Sequence, residues 1–148
     1  MNDEARTIEQ IIADEGKIVS TTSGISMWPM LRTHRDTVII SAPSGKRKVG
    51  DVVLYRIASG KCVLHRIIAV KNGSYIIRGD SLIKKELGVG DGDIFGVLSG
   101  FYRGDRFIDC NTDVGYKIYC RLWRLTYPLR FAAWKCHGAY RKIFKKEK

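Results

Sequence analysis

Three polar residues far apart in the chain, Ser26, His65 and Asp80, carry the side chains that nucleophilic hydroxyl catalysis needs. A serine hydroxyl is a weak nucleophile until a neighbouring base takes its proton. A neutral imidazole is a suitable base near neutral pH. A carboxylate on the other ring nitrogen fixes its tautomer. Ser26 sits in Ser23-Gly24-Ile25-Ser26-Met27-Trp28-Pro29-Met30-Leu31. Gly24 permits backbone that other residues resist. Pro29 fixes its own φ and biases Trp28 towards extended backbone. The serine is therefore expected on a stiff turn at the edge of a sheet.

His65 lies in the strongest strand signal, Val63-Leu64-His65-Arg66-Ile67-Ile68-Ala69-Val70. Alternation puts Val63, His65 and Ile67 on one face and Leu64, Arg66 and Ile68 on the other. Asn72-Gly73 follows, a hairpin signal, and Ser74-Tyr75-Ile76-Ile77-Arg78 returns antiparallel. A turn centred between 72 and 73 sets position 80 opposite position 65, so the register predicts Asp80 beside His65 on one face. Further strands are expected at Thr37–Ile40, Val52–Tyr55 and Ile94–Leu98, with a last hairpin from Gly100–Tyr102 to Arg106–Ile108. A short helix is expected before them. Ile8, Ile11 and Ile12 form one apolar face, with Thr7 as N-cap and Gly16 as stop.

These elements predict a mainly β fold, a compact antiparallel barrel or coiled sheet. We divide it into an N-terminal helix at 1–16, a β domain at 17–110 and a basic, aromatic helical tail at 111–148. Pro128 should break or kink the tail helix. At 148 residues one domain with a real core is expected. No run of about 18 apolar residues exists, so no membrane-spanning helix is expected. The acidic start, Met1 to Ala5, lacks the apolar core of a secretory signal. A cytoplasmic or peripheral membrane location follows as the expectation. Cys62, Cys110, Cys120 and Cys136 form no C-x-x-C pair, and His34, His65 and His137 complete no zinc spacing, so neither metal nor cofactor is expected.

The stretch Gly24-Ile25-Ser26-Met27-Trp28-Pro29-Met30-Leu31 resembles the nucleophile box of type I signal peptidases, where a serine precedes Met-x-Pro-x-Leu. Gly50-Asp51-Val52-Val53-Leu54-Tyr55 resembles the box that follows, Val63–Val70 the strand that bears the base, and Ile77-Arg78-Gly79-Asp80-Ser81 the Gly-Asp box. The boxes occur in family order. Most bacterial members carry lysine as the base; His65 is similar to the endoplasmic-reticulum, archaeal and sporulation-type branch. The resemblance implies a coiled β-barrel and a serine endopeptidase without metal or cofactor. Ser26 would be the nucleophile, His65 the base, and Asp80 or Glu86 the orienting acid. The Ser26 backbone N–H would supply half of an oxyanion hole. Many members place a hydroxyl two residues before the nucleophile, where this chain has Gly24; Ser23 is the nearest substitute. The substrate would be an extended segment of a precursor protein or peptide. The Gly-x-Ser-Met form also resembles the self-cleaving repressor peptidases, although no DNA-binding helix pair precedes the barrel. A non-catalytic peptide-binding or membrane-docking module is the other alternative.

The net charge of +11 is unevenly placed. Residues 116–148 hold ten Lys/Arg and one acid, while the remaining 115 residues are nearly balanced. Trp123, Tyr127, Phe131, Trp134, Tyr140 and Phe144 interleave with these cations, including Arg141, Lys142, Lys145 and Lys146. Aromatics beside cations suit an anionic membrane surface, with nucleic acid the weaker expectation.

Overall fold

Thr7 starts the first helix because its hydroxyl accepts from the Gln10 N–H while the Gln10 side chain accepts from the Thr7 N–H, a reciprocal capping box. This helix, α1 (Ile8–Glu15), ends at Gly16 in left-handed backbone and buries Ile12. The computed structural model describes residues 6–144, and side chains as far as residue 138. The acidic start at 1–5, the side chains of Tyr140, Arg141, Lys142 and Phe144, and the cations Lys145 and Lys146 lie outside the described residues.

Eight strands follow: β1 (Lys17–Thr21), β2 (Asp36–Ser41), β3 (Val52–Arg56), β4 (Cys62–Lys71), β5 (Ser74–Arg78), β6 (Glu86–Val89), β7 (Ile94–Arg103) and β8 (Arg106–Asp109). They form one antiparallel sheet in the order β1-β2-β7-β3-β4-β5-β6, with β8 also on β7. Among the described residues the path is open, since β1 and β6 do not pair. The mainly β expectation is met; closure into a barrel is not seen. Two apolar clusters fill the two faces. Val52 and Leu54 join Ile12, Met27, Met30, Leu31 and Phe101 on one face, while Val53, Tyr55, Ile67 and Ile77 pack on the other.

The strand expectations need three corrections. β1 and β6 form where no strand was expected. β7 is one ten-residue strand where two were expected. It pairs along one edge with β3 through Ile94–Val97 and then with β8 through Gly100–Arg103, so Ser99 and Gly100 continue a strand instead of opening a new one. The register with β2 slips at this point, and the Ser99 hydroxyl bonds to the Ile39 carbonyl at 3.2 Å.

The Asn72-Gly73 hairpin forms as read, with both residues at positive φ and Lys71 facing Ser74. Beyond the sheet come α2 (Val114–Leu125), N-capped by Asp113, and α3 (Tyr127–Phe144). Pro128 stands in the first turn of α3, where its missing N–H breaks no helical bond. The expected break therefore falls at Thr126, between two helices. No described helix is long and apolar enough to cross a membrane.

Candidate active site

The Ser26 loop is anchored from below by apolar residues and from behind by a buried charge. Met27, Met30 and Leu31 enter the core, while Ile25 and Trp28 stay exposed. Asp36, at the start of β2, is 1% exposed. It accepts two bonds from the Arg35 guanidinium at 2.9 and 2.6 Å, one from Arg103 at 3.2 Å and one from the Arg32 N–H at 2.8 Å. Burial alone would raise the Asp36 pKa; these donors overcome it and hold the carboxyl below the usual carboxylate range. Both arginines also donate to the Met30 carbonyl, at 3.1 and 2.6 Å, and so tie down the end of the serine loop. The Trp28–Pro29 peptide is cis.

The other side of the loop is seated on the residues after β5. The Ser81 N–H donates to the Ser26 carbonyl at 3.0 Å, and the Ser81 hydroxyl to the Ile25 carbonyl at 2.6 Å. Gly79 permits this approach, because a Cβ there would stand 2.6 Å from the Ser26 carbonyl oxygen. In β4 and β5 Arg66 faces Arg78 and Ile67 faces Ile77, and one step further sets Gly79 opposite His65. The Ser26 backbone thus lies over the position that faces His65. Gly79→Ala should push this loop aside. A displacement near 1 Å is expected to slow acylation of Ser26 about 100-fold, with a stability cost of about 1–3 kcal/mol. The labelling rate with a fluorophosphonate, read beside the melting temperature, checks both.

His65 is 7% exposed on the face shared with Val53 and Tyr55. Its Nδ1 lies 3.1 Å from the Tyr55 hydroxyl. Nε2 makes no hydrogen bond among the described residues. The same holds for the half-buried Ser26 hydroxyl. Burial lowers the His65 pKa below the ordinary imidazole value, partly offset by the fields of Glu86 and then Asp80. Burial also raises the Tyr55 pKa, so the phenol keeps its proton. Tyr55 escaped the sequence reading. The available signal was parity: it stands two residues from Val53, the cross-strand partner of His65.

Asp80 does not lie beside His65. Near the turn the register is as expected, with Val70 facing Tyr75 and Ala69 facing Ile76. A bulge at Ile68 then shifts it by one residue. A one-residue slip sends every later side chain to the opposite face. Asp80 therefore meets Arg66, on the face away from His65. Arg66 Nε and Nη2 donate to its two carboxylate oxygens, each at 2.8 Å, and Tyr119 adds a bond at 3.3 Å. Glu86, the alternative acid, is half-buried at the start of β6 and exerts the largest field of any charged group on His65 and Tyr55. Ser23 is exposed, and its hydroxyl bonds to nothing among the described residues. Gly24 has φ +87°, the left-handed region its place in the turn requires.

Tyr116, Tyr119, Trp123 and Tyr127 face the sheet. Trp123 bonds to the Asp80 carbonyl at 3.2 Å and stacks under Arg130, while Arg78 stacks on Tyr127, each guanidinium 3.5 Å from the ring centre. Trp134 is exposed, as are the aliphatics Val114, Ile118, Leu122, Leu125 and Leu129. Their spacing of three and four marks a single helical stripe. No protein-family model, curated protein or solved structure matches the chain.

Proposed function

We propose that the chain is a serine endopeptidase of the signal-peptidase type, its sheet coiled as in that family, with Ser26 as nucleophile and His65 as base. The observation that carries this reading is the seating of the Ser26 loop, through Ser81 and Gly79, over the sheet position facing the buried His65, whose pKa burial lowers. Ser26 Oγ adds to the scissile carbonyl carbon as Nε2 takes its proton, and the Ser26 N–H receives the oxyanion. The C–N bond then breaks, the leaving amine takes the proton from His65, and an acyl-serine ester remains. Water, deprotonated by His65, hydrolyses that ester. Tyr55 accepts from Nδ1–H in this scheme and so keeps the lone pair on Nε2.

The outer edge of β1, which among the described residues pairs only with β2, ends five residues before Ser26 and offers its backbone there to an extended substrate. Labelling with a fluorophosphonate followed by peptide mapping tests the reading. The adduct is expected on Ser26, and no adduct there overturns it.

The base must be neutral to act, so kcat/KM rises as pH rises through the His65 pKa. Burial sets that pKa below 6.5, so the acid limb is expected below 6.5. A limb above 6.5 in a pH–rate profile would contradict a buried histidine base.

The aliphatic stripe of α2 and the first turn of α3 supports docking of this face on an anionic bilayer. Lys117, Arg121 and Arg124 flank it on α2, and each cation near such a surface contributes about 1 kcal/mol. Sedimentation with vesicles should show binding to anionic but not neutral lipid, lost in Leu122→Asp/Leu125→Asp.

A further inference from the structure

A cleft of about 910 Å³ opens between α2 and the sheet, on the Arg66 face, away from Ser26 and His65. Its charge is one-sided. Nine Lys/Arg and two acids line it. Arg66 is paired with Asp80, and Arg47 with Asp91 at 2.5 Å. Lys46, Lys48, Lys85, Lys117, Arg121 and Arg124 make no ion pair among the described residues and stand at the rim.

Arg78 points to what this charge receives. It is 7% exposed and lines the cleft. Its guanidinium carbon lies 3.5 Å from the centre of the Tyr127 ring. Nη1 is enclosed and has no hydrogen-bond partner among the described residues. An enclosed, charged donor without an acceptor is costly, and such groups in native proteins call for a partner. A guanidinium that lines the cleft with Nη1 unpartnered matches an oxygen of a phosphoryl group. The volume is that of a small-molecule site, with Trp123 and Tyr127 as aromatic walls.

We propose that this cleft binds a phosphate ester, with Arg78 Nη1 on a phosphoryl oxygen and the rim lysines and arginines drawing the anion in. The ester is either a soluble phosphorylated metabolite or the headgroup of an anionic phospholipid beside the α2 stripe. The site is separate from the proposed peptidase chemistry, and Ser26→Ala should bind as the wild type does.

Calorimetric titration of the full chain with glycerol 3-phosphate, alongside sedimentation with phosphatidylglycerol vesicles, tests it. Saturable binding of glycerol 3-phosphate identifies a soluble ester. Binding to vesicles alone, lost with Arg78→Gln, identifies the headgroup. Arg78→Gln and Arg78→Lys should each weaken binding at least tenfold, about the loss expected for one charge-assisted contact. Because Arg78 also packs on Tyr127, the exposed pair Lys85→Gln/Arg124→Gln serves as the second variant and should weaken binding several-fold without changing the melting temperature. Leu122→Asp/Leu125→Asp should keep glycerol 3-phosphate while losing vesicles. No saturable binding of either probe, or binding indifferent to both the Arg78 and the rim substitutions, overturns the proposal.

Discussion

Ser26→Ala should abolish fluorophosphonate labelling and lower peptide cleavage by about 10⁴-fold or more, and His65→Ala should cost nearly as much. The double variant should be little worse than either alone. Nucleophile and base act in one proton transfer, so removing one leaves the other without a task. Independent roles would instead multiply the two losses. Tyr55→Phe probes the step behind them. It leaves the buried Nδ1 without its 3.1 Å partner and lets the proton settle on either ring nitrogen. Its effect should fall on kcat more than on KM, because Tyr55 is buried behind the ring and is not placed to touch substrate. Rates with an extended peptide substrate measure the three losses together. Additive losses for Ser26 and His65 would sink the shared mechanism even if each loss were large.

The sequence was most legible where local chemistry decides structure. Thr7 and Gln10 cap a helix through their own side chains, Asn72-Gly73 turns a hairpin through its own backbone, and both stand as read. The serine turn was visible in Gly24 and Pro29, but its support was not. Arg35, held by its neighbour Asp36, and Arg103, from the far end of the sheet sequence, both donate to the Met30 carbonyl, and no spacing rule announces that convergence. The error over Asp80 has one physical cause. Hairpin register can be counted outward from a turn only until a bulge intervenes, and Ile68 in an unbroken β-branched and apolar run gave no glycine or proline to mark one. The inward packing of part of the tail was not legible either, because Arg78, which lies over Tyr127, comes from β5, and the acceptor of the Trp123 N–H is the Asp80 carbonyl. The aliphatic stripe at 114, 118, 122, 125 and 129 was present as a helical period, overshadowed by the aromatic one beside it.

Asp80→Ala should destabilise the protein by about 3–5 kcal/mol, the cost of leaving a buried guanidinium without its carboxylate. Arg66 is only 5% exposed, and its remaining contacts are a backbone carbonyl and two sulfur atoms. Burial would lower its pKa, but the bonds to Asp80 raise it well above the ordinary value, so the charge stays and must be met. The loss should spread to the tail, since the Asp80 backbone carbonyl also accepts from Trp123. For a chain of this size, such a cost lowers the melting temperature by roughly 10 °C. Replacing both partners with apolar residues, Arg66→Met/Asp80→Leu, should recover most of it. This double variant separates structure from catalysis. If Asp80 only braces the sheet against α2, labelling at Ser26 returns with the melting temperature. If Asp80 orients His65, stability returns and labelling does not. Glu86→Gln completes the comparison. Its field raises the His65 pKa more than that of Asp80, so removing it should move the acid limb of the pH–rate profile further down than Asp80→Asn does. A larger shift from Asp80→Asn would restore Asp80 as the acid that serves His65.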